Sequence, residues 1–319
     1  LIRGIAQAIL IIFSSAILRE VGFPQVRCDM TSLMIALLLA TMQAPAMDGA
    51  IEQGIRSEGD YPPTEYLSLV GPYGVTFSMT GIAQLPFVLS GIPAGASVAR
   101  ALFITQTWDE DAITHTIDLN IDGTTYEGIA ALALDIQDTG NPPYDLDLAS
   151  YVIDVTAQIT GNGQYDPHVT RNQPSSGPYA SLLWVVYERE DLPWQEVHLN
   201  FGGESLMESS STSMFTAAGS GSGTLHIFTE ADDDESNSEG TESVVFNNQV
   251  IACCQVFNRS TVQSGTYLQL PVTVVPGPNI VTVNTGTDWL GWHVAALVVP
   301  VGTISVSQQS WSTIKALYR

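Results

Sequence analysis

Two acidic runs are the first residues in this chain that could do chemistry. Asp109, Glu110 and Asp111 form one, and Asp232, Asp233, Asp234 and Glu235 form the other. Clustered carboxylates on a loop offer the oxygen ligands that a hard cation such as calcium takes. Asp109, Asp111, Asp232, Asp233, Asp234 and Glu235 are therefore the candidate calcium ligands, although neither run has EF-hand or nonapeptide-repeat spacing and a solvated acidic loop reads the same way. Glycoside hydrolysis would need two carboxyl groups at a fixed separation, one with a raised pKa, and no such pair is legible. The histidines His115, His168, His198, His226 and His293 are scattered singly, without the close pairs that zinc enzymes use. His198, His226 and His293 fall inside strand patterns and read as ordinary strand residues. Serines crowd 205–215, but no G-x-S-x-G elbow occurs to activate one. No catalytic residue and no firm cofactor is expected, so the chain reads as a non-enzyme.

Two surface features remain. Asn258-Arg259-Ser260 is an N-x-S sequon, which marks Asn258 as a glycan acceptor in an exported chain. Trp108, Trp194, Trp289, Trp292 and Trp311 lie near loops or strand ends, where an aromatic ring either stacks on a sugar or plugs a sheet end.

Charge narrows the partners. The 319 residues carry 10 Lys+Arg against 33 Asp+Glu, a net charge of -23. A surface of that sign repels phosphate backbones and anionic headgroups, which excludes nucleic acid. Only 13% of residues are charged, and Lys315 is the one lysine. Cys253 and Cys254 are adjacent, and a bond between neighbours closes a strained ring, so they read as two small hydrophobes in a strand.

The amino-terminal region is apolar over 5–18 and again over 33–41, the latter followed by Ala44-Pro45-Ala46. Residues 30–46 have the form of a secretory signal peptide, with an apolar centre and a small-residue cleavage site. Neither stretch reaches the ~20 apolar residues of a spanning helix, so no membrane span is expected. If the arm is retained, its apolar side chains need burial, and a neighbouring subunit is one place for it. Ile5, Ile9, Leu10, Ile12, Phe13, Leu33, Ile35 and Leu37 are the assembly residues on that reading, with strand addition or helix insertion both open.

From residue 73 onward, short alternating runs separated by Gly, Pro, Asn and Asp predict an all-β chain. It also speaks twice. "ARALFITQTWDED", "HTIDLNIDGTTY", "ASYVIDVTAQIT" and "YASLLWVVYE" are echoed by "GTLHIFTEADDDE", "ESVVFNNQVI", "PNIVTVNTG" and "GWHVAALVVP". The fold expected is two tandem antiparallel β-sandwiches, jelly-roll-like, behind an apolar arm: 1–72 arm, 73–215 first sandwich, 216–306 second, 307–319 a contact tail. The boundary is placed at "TAAGSGSG", 216–223. Unbroken apolar runs in "LLWVVY" and "HVAALVV" predict central strands covered on both faces, as in two sandwiches packed together. In the tail, Ile314, Leu317 and Tyr318 share a helical face beside Lys315 and Arg319.

The segments "GASVARALFI", "YVIDVT", "LLWVVYE", "VVFNNQ" and "WHVAALVV", over 95–300, resemble a domain of unknown function that recurs in exported archaeal and bacterial surface proteins. The resemblance implies an extracellular β fold and no chemistry, because the matching positions are core and turn residues. The function expected is a structural subunit of an extracellular filament or surface appendage, a homopolymer built by arm insertion. A secreted monomeric adhesin that binds surface glycans is the alternative.

Overall fold

The computed structural model describes residues 56–58, 61–81, 84–110, 115–138, 146–172, 175–178, 180–207, 209–230, 242–254, 256–257, 265–285 and 289–301. The assembly residues (Ile5, Ile9, Leu10, Ile12, Phe13, Leu33, Ile35, Leu37), Asp111, Asp232 to Glu235, Asn258, Trp311 and the tail lie outside the described residues, whereas the end of the expected arm, 56–58 and 64–71, forms strands that pair β8 and β14 and so belongs to the β body rather than to a 1–72 arm. Every described element is a strand, so the expected all-β class is observed. No helix among the described residues is long and apolar enough to cross a membrane.

The chain opens with β1 (Arg56–Glu58) and β2 (Thr64–Gly71). A first set follows: β3 (Tyr73–Gly81), β4 (Phe87–Leu89), β5 (Ser97–Glu110), β6 (Thr116–Ile121), β7 (Thr124–Ala130), β8 (Ala133–Asp138), β9 (Leu146–Asp154), β10 (Gly163–Tyr165), β11 (Pro167–Arg171), β12 (Ser175–Ser176) and β13 (Ala180–Glu188). The second set is β14 (Gln195–Met207), β15 (Ser210–Ala217), β16 (Gly221–Glu230), β17 (Ser243–Phe246), β18 (Gln249–Cys253), β19 (Gly265–Val274), β20 (Gly277–Asn284) and β21 (Trp289–Pro300). One large sheet runs β1-β8-β9-β5-β13-β3 with β12 on β5, and the other runs β19-β16-β21-β14-β2. Smaller sheets, β11-β6-β7 with the pair β10-β4 on one side and β15-β20-β17-β18 on the other, cover their outer faces.

Side-chain periodicity explains the layering. In the small sheets burial alternates residue by residue along β6 and β15, as it must when one face meets a core and the other meets water. In the large sheets both faces are covered: Ala180 to Val186 are all buried. Leu183 and Val185 join Phe103 against Ile117, Leu119 and Ile121 of the outer sheet. Their neighbours Leu182, Trp184 and Val186 turn the other way, with Leu102 and Ile104, onto Val197, Leu199, Phe228, Val294 and Ala296 of the opposing large sheet. Leu225, Ile227, Ala295 and Leu297 close the last core with Phe215, Val244, Phe246, Val281 and Val283. The body is thus four sheets deep, and the expected packing of two sandwiches through their central strands is what the apolar runs encode.

The internal echo is also a repeat of topology. β5, the β6–β7 hairpin, β9, β11 and β13 occupy the places that β16, the β17–β18 hairpin, β19, β20 and β21 occupy in the second half. One pairing differs from the sequence echo. "ASYVIDV" forms β9 beside β5 in a large sheet, whereas "PNIVTVN" forms β20 beside β17 in a small one, so the counterpart of β9 is β19. Both segments alternate apolar and polar residues, and alternation does not say which sheet a strand joins.

Hydrogen bonding also moves the division between the sandwiches from 215/216 to 189–194. β14 pairs β21 along its length and β15 pairs β20, so 195–217 belongs to the second sandwich. The glycine-rich segment near 216–223 is the turn from β15 into β16. It is pinned by Glu196, 3% exposed, whose carboxylate accepts the N–H groups of Gly219 (2.7 Å) and Ala218 (2.9 Å). Replacing Glu196 by Ala strands both donors and should cost about 2 kcal/mol of unfolding free energy. An unchanged urea midpoint would show that the turn holds without it.

β2 crosses over between the sandwiches. It lies before the first sandwich in sequence yet pairs β14 of the second, from Thr64↔Phe201 to Gly71↔Gln195. Pro72 makes the step into β3, and the approach of 61–63 is close enough that a Cβ on Gly202 would sit 2.3 Å from the Tyr61 carbonyl oxygen.

Candidate functional site

Between the two large sheets, where β13 and β21 finish and β14 and β16 begin, a cleft of about 350 Å³ opens to solvent. Tyr187, Gln195, Ser222, Thr224, His226 and Gln269 bring polar groups to it, and none of its lining side chains is charged at neutral pH. Gly74 sits in its wall because a Cβ there would meet the Tyr187 ring at 2.4 Å. His226 forms the floor, 6% exposed. Burial pushes its pKa down to about 4, so the imidazole is neutral. Its Nδ1 is hydrogen-bonded to the Tyr267 hydroxyl, which leaves Nε2 free of that bond. Trp184 and Phe77 meet the same ring edge-on, and Phe77 stacks on Tyr267 at 3.7 Å.

Trp194 lies next in sequence to Gln195 and is 58% exposed. Its carbonyl accepts the N–H of Val301 (2.8 Å), beside the cleft residue Pro300. Trp108 and Trp292 are buried, and the Trp292 indole N–H donates to the Val294 carbonyl (3.0 Å). These two plug the core, while the side chain of Trp289 is not among those described.

A second cleft, of about 370 Å³, lies where β2 begins and is lined by Tyr61, Tyr66, Leu132 and Phe201. Tyr61, Tyr66 and Leu132 are exposed apolar groups, and Tyr66 and Phe201 stand 6.1 Å apart.

Deeper in, carboxyl groups tie the two large sheets together. Asp135 of β8 accepts the N–H of Ser205 of β14 (2.8 Å), and Glu230 of β16 accepts that of Gln106 of β5 (3.2 Å). Glu230 Oε1 also stands 3.8 Å from His293 Nε2, with both residues wholly buried. They meet as neutral partners: burial pushes the carboxyl well up and the imidazole down to about 3. His198, 3% exposed, stands with its Nδ1 3.2 Å from Ser68 Oγ and its Nε2 3.2 Å from Glu196. His115 precedes β6 and faces Asp147 at 3.4 Å, and His168 is exposed on β11. Three strand histidines are therefore interior groups of one large sheet, and His226 is the one that reaches a cleft.

Of the two acidic runs only Asp109 and Glu110 fall among the described residues, by their backbones. Asp109 is placed by its backbone alone, in β5 opposite Asp147 and Ser175. Among the described residues no three His, Cys, Asp or Glu side chains could hold a metal ion. The cysteines differ from expectation. Cys253 ends β18 and Cys254 follows it with a φ of 66°, and both are exposed rather than packed in a strand interior. The chain turns out of the sheet there, so neither side chain reaches the core.

No family model matches the chain, and no curated protein matches it. Among solved structures, a family 35 carbohydrate binding module from an environmental isolate is 15% identical over 30% of this chain and 72% of its own, with a TM-score of 0.24. A β-porphyranase of glycoside hydrolase family 86 from the human gut bacterium Bacteroides plebeius is 10% identical over 71% of this chain and 38% of its own, at 0.23. The major capsid protein P2 from bacteriophage PM2 is 9% identical over 72% of this chain and 99% of its own, at 0.20. At such TM-scores the likenesses carry no argument.

Proposed function

We propose that this chain is a non-catalytic structural subunit that works outside the cell and polymerises by placing its apolar amino-terminal arm on a neighbouring copy. The observation that supports this reading is the edge formed by β2. Its eight residues pair β14 on one side, and on the other they face no strand among the described residues. Tyr66 and Val70 are exposed along it, Val70 at 57%, and the Tyr61–Leu132 cleft opens at its start. An open edge with apolar side chains is a template for another strand unless something covers it. The segment 33–41 has the length and apolar character of a covering strand.

Electron microscopy of the full chain beside a form lacking residues 1–46 tests the reading. Filaments from the first and monomers from the second are expected, and Val70→Lys in the full chain should shorten or abolish the filaments. Monomers from all three would overturn it. The alternative, a secreted adhesin that binds glycans, is favoured by one observation, an uncharged cleft one of whose lining residues, Gln195, follows the exposed Trp194 in sequence.

A further inference from the structure

The cleft over His226 has a chemistry that selects a ligand class. Its polar groups are two carboxamides, Gln195 and Gln269, three hydroxyls, Tyr187, Ser222 and Thr224, and one neutral imidazole nitrogen. Carboxamides and hydroxyls both donate and accept, which matches vicinal hydroxyl groups on a small ring and offers nothing specific to a phosphate, carboxylate or ammonium. The volume of about 350 Å³ lies within the range of roughly 300–1,000 Å³ found for small-molecule sites. Anions are disfavoured a second time by the net charge of -23.

His226 marks the cleft as more than a gap in packing. A polar ring more than nine-tenths buried, held on Nδ1 by Tyr267 and edged by Trp184, lines the opening. Buried polar groups are normally satisfied within the fold or by what fills the space beside them. Trp194 supplies an exposed indole next to Gln195, the kind of surface on which the apolar face of a sugar ring stacks.

We propose that this cleft binds a neutral sugar residue of a glycan, through the Gln195 and Gln269 carboxamides, the Ser222 and Thr224 hydroxyls and His226 Nε2, with Trp194 flanking the opening. The inference rests on the glycan-binding reading and is independent of assembly through β2.

The full chain is applied to an array of neutral, sialylated and sulfated glycans, and the best neutral binder is then titrated by calorimetry. Gln195→Leu with Gln269→Leu keeps the side-chain bulk and removes two hydrogen-bonding groups. Affinity should fall at least about tenfold, the loss expected when a site built for hydroxyls loses its partners. The melting temperature should be unchanged, because Gln269 is exposed and Gln195 half-buried. Val250→Ser, at an exposed position of β18, should bind like the parent. With no charge in the site, affinity should also be insensitive to added salt. Binding of a neutral glycan that survives the double substitution would leave the glycan-binding reading standing and overturn this site. Preference for sialylated or sulfated glycans would overturn the neutral class, and an array without any binding would overturn both.

Discussion

Trp184→Ala should lower the unfolding free energy by about 4 kcal/mol, the largest loss expected of any single substitution in the body. Trp184 is wholly buried in the centre of β13, paired with Leu102 of β5 and Phe77 of β3, and its ring meets His226 of the facing sheet at 5.2 Å. Truncation removes the indole's transfer free energy and leaves a cavity between two rigid sheets that have little freedom to collapse into it. The interface it fills joins the two sandwiches, so the wild type should unfold in one urea transition while the variant shows two. A loss below about 1 kcal/mol with a single transition would mean that the sheets are coupled elsewhere.

Lowering the pH from 6.5 to 4.5 should destabilise the fold, and the sign follows from three buried groups. His226 and His293 titrate near 4 and near 3 in the folded chain against 6.5 when exposed, so in this window the unfolded chain takes up two protons that the folded chain refuses. That makes unfolding easier as acid is added. Glu230 acts in the opposite direction: its raised pKa keeps a proton in the folded chain that the unfolded chain has lost above 4.5. Two histidines act against one carboxyl, so the net effect of added acid in this window is destabilising. Above 6.5 the histidine contributions are complete, so the rise of stability with pH should end there. Urea unfolding across this range measures the slope directly. His226→Phe removes one of the two uptakes and should flatten the curve between 4.5 and 6.5, whatever its effect on absolute stability. A slope identical to the wild type's would sink the assignment.

Much of this architecture is written in the residues. The alternation of Ile117, Leu119 and Ile121 with polar neighbours marks a one-sided strand, and the unbroken run from Ala180 to Val186 marks a two-sided one. Together they predict both the sandwiches and their stacking. The division between them was not legible. Glycine and serine near 216–223 have the composition of a linker, but a tight turn between paired strands has the same composition, and the Glu196 carboxylate that makes it one lies some twenty residues earlier. The segment 189–194 that does connect the halves carries charge, a proline and Trp194, with no signal of its own. The cleft was hidden for a related reason. Its residues come from β3, β13, β14, β16, β19 and β21, and only pairing across the whole body brings Gln195, His226 and Gln269 to one place. Trp194 was identifiable beforehand as an aromatic near a loop, but nothing local separates it from Trp108 and Trp292, which the core takes.

The crossover of β2 sets an order of events during synthesis. Leu69 must wait for Val197, 128 positions later, before its strand has any partner, whereas β3, β5 and β13 are all present once residue 188 has emerged. The first sandwich, β1 on β8 included, can therefore close while β2 is still unpaired, and β2 is fixed only when β14 arrives. Until then Leu67 and Leu69, which finish half-buried between the large sheets, are in contact with solvent or with whatever escorts the nascent chain. β2 is therefore a span tethered at both ends, by β1 on β8 and by β3 on β13, whose middle docks last, so the two sandwiches are stitched together only after the first has closed.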